Sequence, residues 1–167
     1  MWRIIALITA LTATSCGVVS EIERDPSLDV YIPGMSAPAI FEHDTTVFGD
    51  EDRQNWIVRA IEGVGLEPEV LETLKIEFIR DENWPAPGTR GYYTPKLNRV
   101  RVRVFDHACQ AQDTLIHELL HAKYCNMISL EDDERMCEHP VEIFSHQSGD
   151  VAKINYEMGS ACIIYQK

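Results

Sequence analysis

The chain lacks the long apolar run of a membrane-spanning helix. The stretch that comes nearest, Ile4 to Ser15, is shorter than the roughly 20 residues a span requires. It also lacks positive charge: 15 Lys and Arg stand against 27 Asp and Glu, and the net charge of −12 would repel a phosphate backbone, which excludes nucleic acid as a partner. No internal repeat and no low-complexity tract is present, and 167 residues with 45% hydrophobic content suit one compact domain with its own core. An even cysteine count is missing as well. Five cysteines leave one over in an oxidising compartment, unless Cys16 is set apart, in which case Cys109, Cys125, Cys137 and Cys162 can form two disulfides with three possible connectivities.

Cys16 has a reason to be set apart. Met1-Trp2-Arg3 followed by the uncharged Ile4 to Ser15 is built like a secretory signal, and Ala13-Thr14-Ser15-Cys16-Gly17 resembles the lipobox of bacterial lipoproteins, although Ala13 stands where Leu is usual. That resemblance implies a signal peptide over 1–15, a lipid anchor at Cys16 and a location on the periplasmic side of a bacterial envelope membrane. Free secretion after ordinary cleavage is the alternative. Residues 16–49, with Pro26, Pro33 and Pro38 and no sustained periodicity, read as a tether and irregular lead-in, and 50–167 as the folded domain.

Within that domain the periodicity alternates between that of helices and that of strands. Asp52 to Gly63 places Trp56, Ile57, Ala60 and Ile61 at helical spacing. Leu74 to Ile79 alternates apolar and charged residues as a half-buried strand does, and Pro85, Pro87 and Gly88 mark a loop. A strand near Gly91-Tyr92-Tyr93 and the strict alternation Arg99 to Val104 flank a turn and predict a hairpin, with Arg99, Arg101 and Arg103 on a solvated face. Gln110 to Tyr124 has no Gly or Pro and carries Leu115, Ile116, Leu119, Leu120 and Ala122, which predicts a helix of about four turns. Pro140 opens a further helix toward Gly149. The fold class expected is α+β.

The helix from Gln110 carries the chemistry. His117 and His121 are four residues apart, so both imidazoles lie on one face a turn apart and can bind one ion at about 2 Å. Glu118 is beside them, poorly placed as a ligand but able to take a proton from water at the metal, the role the H-E-x-x-H pattern gives it. Downstream, Glu138, His139 and Glu142 compete as third ligand. Cys125 follows His121 by one turn and Cys137 precedes all three, so a Cys125–Cys137 bridge would bring that segment beside the metal. Asp106, His107, His146, Tyr156 and Tyr165 are further candidates for orienting a ligand or stabilising an oxyanion.

Thr114 to Ala122 resembles the active-site run of the zincin metallopeptidases, with Lys123 departing from the apolar residue usual there. The metzincin variant is excluded, because no Gly and third His follow shortly after His121. Pro140-Val141-Glu142-Ile143-Phe144-Ser145 is similar to the glutamate helix of small gluzincins, which implies a following helix carrying the third ligand and makes Glu142 the preferred one. His139-Pro140-x-Glu142 also resembles the third-ligand segment of SprT-like metallopeptidases, which would assign His139 instead. The resemblance covers about Gly91 to Gly149.

The function implied is zinc-dependent hydrolysis of peptide or protein substrates, with one zinc ion on His117, His121 and Glu142, water activated by the metal, and Glu118 as general base. Val100 to Val104 could form the cleft edge and take an extended peptide as an added strand. The alternatives are an inactive envelope lipoprotein acting as a binding or structural module, which would have no use for Glu118, and a zinc amidase acting on a cell-wall bond.

Overall fold

The structure, a computed structural model, describes residues 25–42, 50–104, 108–126, 137 and 139–159. The expected signal peptide over 1–15, the Cys16 anchor, Asp106, His107, Glu138, Cys162 and Tyr165 lie outside the described residues.

Alternating and β-branched residues build one sheet. Its strands are β1 (Ile40–Phe41), β2 (Lys75–Arg80), β3 (Gly91–Thr94) and β4 (Arg99–Val104), in the order β1-β2-β4-β3. β1, β2 and β4 run parallel, whereas β3 returns antiparallel against β4. The hairpin turn between β3 and β4 places Asn98 in the left-handed region at φ 42°, and its side-chain amide donates to the Val70 carbonyl at 2.7 Å. The expected hairpin is therefore present.

Three helices, α1 (Asp50–Val64), α3 (Ala108–Tyr124) and α5 (Asp150–Glu157), cluster with the sheet, and two shorter ones, α2 (Pro68–Thr73) and α4 (Val141–Phe144), connect the elements. Ile57 and Ala60 of α1, Leu115, Ile116 and Leu119 of α3, and Ile76, Val100 and Val102 of the sheet are fully buried in a single apolar core. α1 and α5 meet where Gly63 lies under Ile154, since a Cβ there would come within 2.7 Å of the isoleucine Cγ2. The result is a small α+β domain.

Four expectations change at this level. The lead-in ending at residue 49 is not wholly irregular: Val30 bridges Ala39, Phe41 in β1 is buried, and its ring stacks on Phe78 at 4.3 Å, so the core begins before residue 50. A strand of two residues is too short to show periodicity. The strand arginines do not form a solvated face. Glu77 of β2 lies opposite Arg101 in register, and its carboxylate pairs with Arg101 at 2.6 Å and Arg99 at 3.3 Å, while Arg103 pairs with Asp81. β4 is paired on both sides, so Val100 to Val104 cannot be the cleft edge; that place belongs to β3. The helix opened by Pro140 stops at Phe144. The Ser145 hydroxyl accepts from the Gln147 and Ser148 amides, an alternative to helical pairing, and the chain folds back so tightly that a Cβ on Gly149 would lie 2.7 Å from the Ile143 carbonyl oxygen.

Candidate metal centre

α3 buries its apolar stripe against the sheet and α1, which leaves His117 and His121 on the flank beside β3 and α4. One helical turn apart, their rings lie with centroids at 5.0 Å. His139 completes the group, and one ligand atom from each of the three histidines lies within 4.8 Å of the others. The His121 and His139 Nε2 atoms face each other at 3.1 Å.

His139 arrives by an unusual route. It lies outside the helices, at φ 56°, two residues after Cys137, which is disulfide-bonded to Cys125 with a Cα–Cα distance of 5.5 Å. The buried Phe144 ring backs the whole cluster, with centroids 5.0 Å from His117, 4.4 Å from His121 and 4.9 Å from His139.

Glu142, the expected third ligand, does not join the cluster. α4 has a single turn whose buried residues are Ile143 and Phe144, and this leaves Glu142 exposed. His139, the rival, is the residue that lies beside His117 and His121. Three histidines near one another in a partly buried site would repel if protonated. Burial, and then the neighbouring histidines, lower His117 to about 4 and His121 to about 3, so both are neutral near pH 7 with lone pairs available to a cation. The buried His117 Nδ1 has no hydrogen-bond partner, an uncommon condition for a buried polar atom, and this also fits a site built for an ion. All-imidazole donors suit zinc among the common divalent metals, with Cu, Fe and Ni as competitors.

Glu118 lies next to this group, 5% exposed, and burial pushes its carboxyl up to about 8 against the pull of a hydrogen bond from the Tyr93 backbone N–H. The edge strand can come this close only because residue 91 is glycine. A Cβ there would lie 2.5 Å from Thr114 Cγ2 and 2.8 Å from Glu118 Oε1. Gly91→Ala is therefore expected to displace Glu118 and β3 from one another, lowering turnover much more than metal content; turnover assays alongside metal analysis check this, and unchanged turnover would show that the contact relaxes at no cost.

His146 is brought to the site as well, with its ring parallel to His117 at 5.2 Å. Its Nδ1–H donates to Asp113 Oδ2 at 2.7 Å, and this contact is the main cause of its raised pKa. Behind Asp113 runs a buried relay. Asn155 donates to Asp113 at 2.8 Å, Gln112 donates to Asn155 at 2.8 Å, and the Trp56 indole donates to Gln112 at 2.7 Å. Tyr156, by contrast, is 71% exposed and lines no part of the cleft. Phe144, Gly91 and Asp113 are the site residues that motif reading misses. Asp113 alone had a signal, since it precedes His117 by one helical turn.

These groups open into a cleft of about 780 Å³, walled on one side by Gly88 to Tyr93 and on the other by the histidines and the Cys125–Cys137 bridge. Among the described residues, no helix is long and apolar enough to cross a membrane. Comparison with protein-family models, curated proteins and solved structures finds no match for the chain.

Proposed function

We propose that the chain is a zinc-dependent peptidase in which His117, His121 and His139 hold the ion and Glu118 is the general base. The observation that carries this reading is a buried carboxylate beside three converging imidazoles at the floor of an open cleft. Zinc, when bound, supplies Lewis acidity that polarises a carbonyl and makes water a stronger acid. With the charge of a bound cation nearby favouring its ionised form, Glu118, oriented by the Tyr93 N–H, takes the proton of the attacking water and returns it to the leaving amine. β3 borders the cleft as an edge strand, so an extended peptide would add beside Gly91 to Thr94 at the backbone groups that the Tyr93–Glu118 contact leaves open, with backbone hydrogen bonds supplying affinity that tolerates many sequences.

A three-histidine set favours the SprT-like resemblance over the gluzincin-like one. The Cys125–Cys137 bridge suits the oxidising compartment of an exported chain, in accord with an envelope protein anchored through Cys16. The test is incubation of the purified zinc-loaded domain with a broad peptide library. Cleavage that a chelator abolishes and zinc restores is the expected result. Stoichiometric zinc with no cleavage would transfer the assignment to a binding module, and cleavage confined to cell-wall fragments would transfer it to an amidase.

A further inference from the structure

Two of the three imidazoles are fixed by a helix and the third is not. His117 and His121 are carried by α3, whose buried face is locked in the core. His139 has no helix of its own, and its φ of 56° is a conformation that residues with a Cβ rarely adopt without being held. Two features hold it. Phe144 packs on its ring from α4, and Cys137, two residues before it, is bonded to Cys125, which directly follows the end of α3 and whose N–H donates to the His121 carbonyl. The Cys125 sulfur itself lies 3.6 Å from His121 Nδ1. The bridge thus ties the segment carrying the third ligand directly to the helix carrying the other two.

We infer that the Cys125–Cys137 disulfide is a positioning element of the metal centre, delivering His139, so that the ion is held tightly only while the bridge is intact. This rests on the reading of the three histidines as a metal site. Reduction would undo it. A thiolate of an external dithiol attacks one sulfur of the bridge and its second thiol resolves the mixed disulfide; two electrons and two protons pass to Cys125 and Cys137, and the reagent leaves as a cyclic disulfide. His139 then keeps the Phe144 ring contact but loses its covalent tie, and the two cysteines are joined only through the chain between them, a sequence separation of 12. Ordering a loop of that length costs binding roughly 100-fold on a chain-entropy basis, which sets the upper end of the expected effect.

The experiment compares zinc affinity, by competition with a chromophoric chelator, in the oxidised wild type, Cys125→Ala/Cys137→Ala, His139→Ala and the triple variant. Alanine avoids free thiols, which would bind zinc themselves. Removing the bridge is expected to weaken binding by roughly 10- to 100-fold in the wild-type background and by less than about threefold where His139 is already absent. Cobalt(II) spectra should show the same loss of one imidazole in both the double variant and His139→Ala. If the double variant does not fold, wild type that has been reduced and alkylated at both sulfurs replaces it in the same comparison. Equal affinity with and without the bridge would overturn this inference alone, as would an undiminished effect in the His139→Ala background, which would place the action at His121 or in the fold. Failure of the oxidised wild type to bind zinc at all would overturn the metal-site reading, and this inference with it.

Discussion

Alanine at His117, His121 or His139 is expected to weaken zinc binding by at least about 100-fold, while alanine at the exposed Glu142 leaves it within about twofold. A coordination bond is lost with each histidine, and the remaining pair cannot close a site around the ion. His117 and His121 also resist competition from protons. With folded-state values near 4 and 3, they remain neutral well below the ordinary histidine range. Zinc stoichiometry and chelator competition on the four variants decide the matter. A large loss in Glu142→Ala with little in His139→Ala would reverse the assignment and restore the glutamate.

Glu118→Gln is expected to keep zinc, lose hydrolysis by a factor of about 10² to 10⁴, and make the metal-free domain more stable at pH 8. The activity loss follows because the amide cannot accept a proton from water. The stability gain follows from burial. Glu118 has its carboxyl raised from 4.5 to about 8, so in the metal-free fold it keeps a proton that the unfolded chain gives up between those values. Its contribution to stability is full below about pH 4.5 and is lost as pH rises through 8. Glutamine has no charge to desolvate and escapes that loss. At about 1.4 kcal/mol per pH unit, and allowing for water reaching the cleft, the advantage at pH 8 should be on the order of 2 to 4 kcal/mol, shrinking toward zero near pH 4.5. His117 and His121 act in the opposite direction, their lowered values costing stability as pH falls below 6.5, but they do so in both proteins and cancel in the comparison. Denaturant unfolding of chelator-treated wild type and variant at several pH values reads the difference. Parallel curves with no pH dependence between them would mean that Glu118 reaches solvent.

What the sequence discloses depends on how local the determinant is. The helix with His117, Glu118 and His121 is legible because ligand spacing and apolar spacing obey the same period, and β4 is legible because valine alternates with arginine over six residues. Which residue joins His117 and His121 is decided by tertiary geometry. His139 and Glu142 are three positions apart and both are good ligands; the choice depends on where the Cys137 bridge and the buried pair Ile143 and Phe144 turn that segment. The arginines illustrate the same limit. Alternation places Arg101 on one face of its strand but cannot place Glu77 opposite it, because pairing with β2 is a long-range choice. Phe144 has no signal at all, since two of the three imidazoles it contacts lie on α3, more than 20 residues away in the chain.

The two edges of the sheet bear on how the protein behaves when concentrated. β1 closes one side with only two residues, and β3 presents four on the other, ended by Pro95, with the Tyr93 amide already committed to Glu118. An exposed ladder is what lets one molecule template onto the next, and growth into fibrils requires a continuous row of open donors and acceptors at each addition. Among the described residues, neither edge offers such a row. The cleft can therefore leave a short strand open to visitors without that strand serving as a template for edge-to-edge growth.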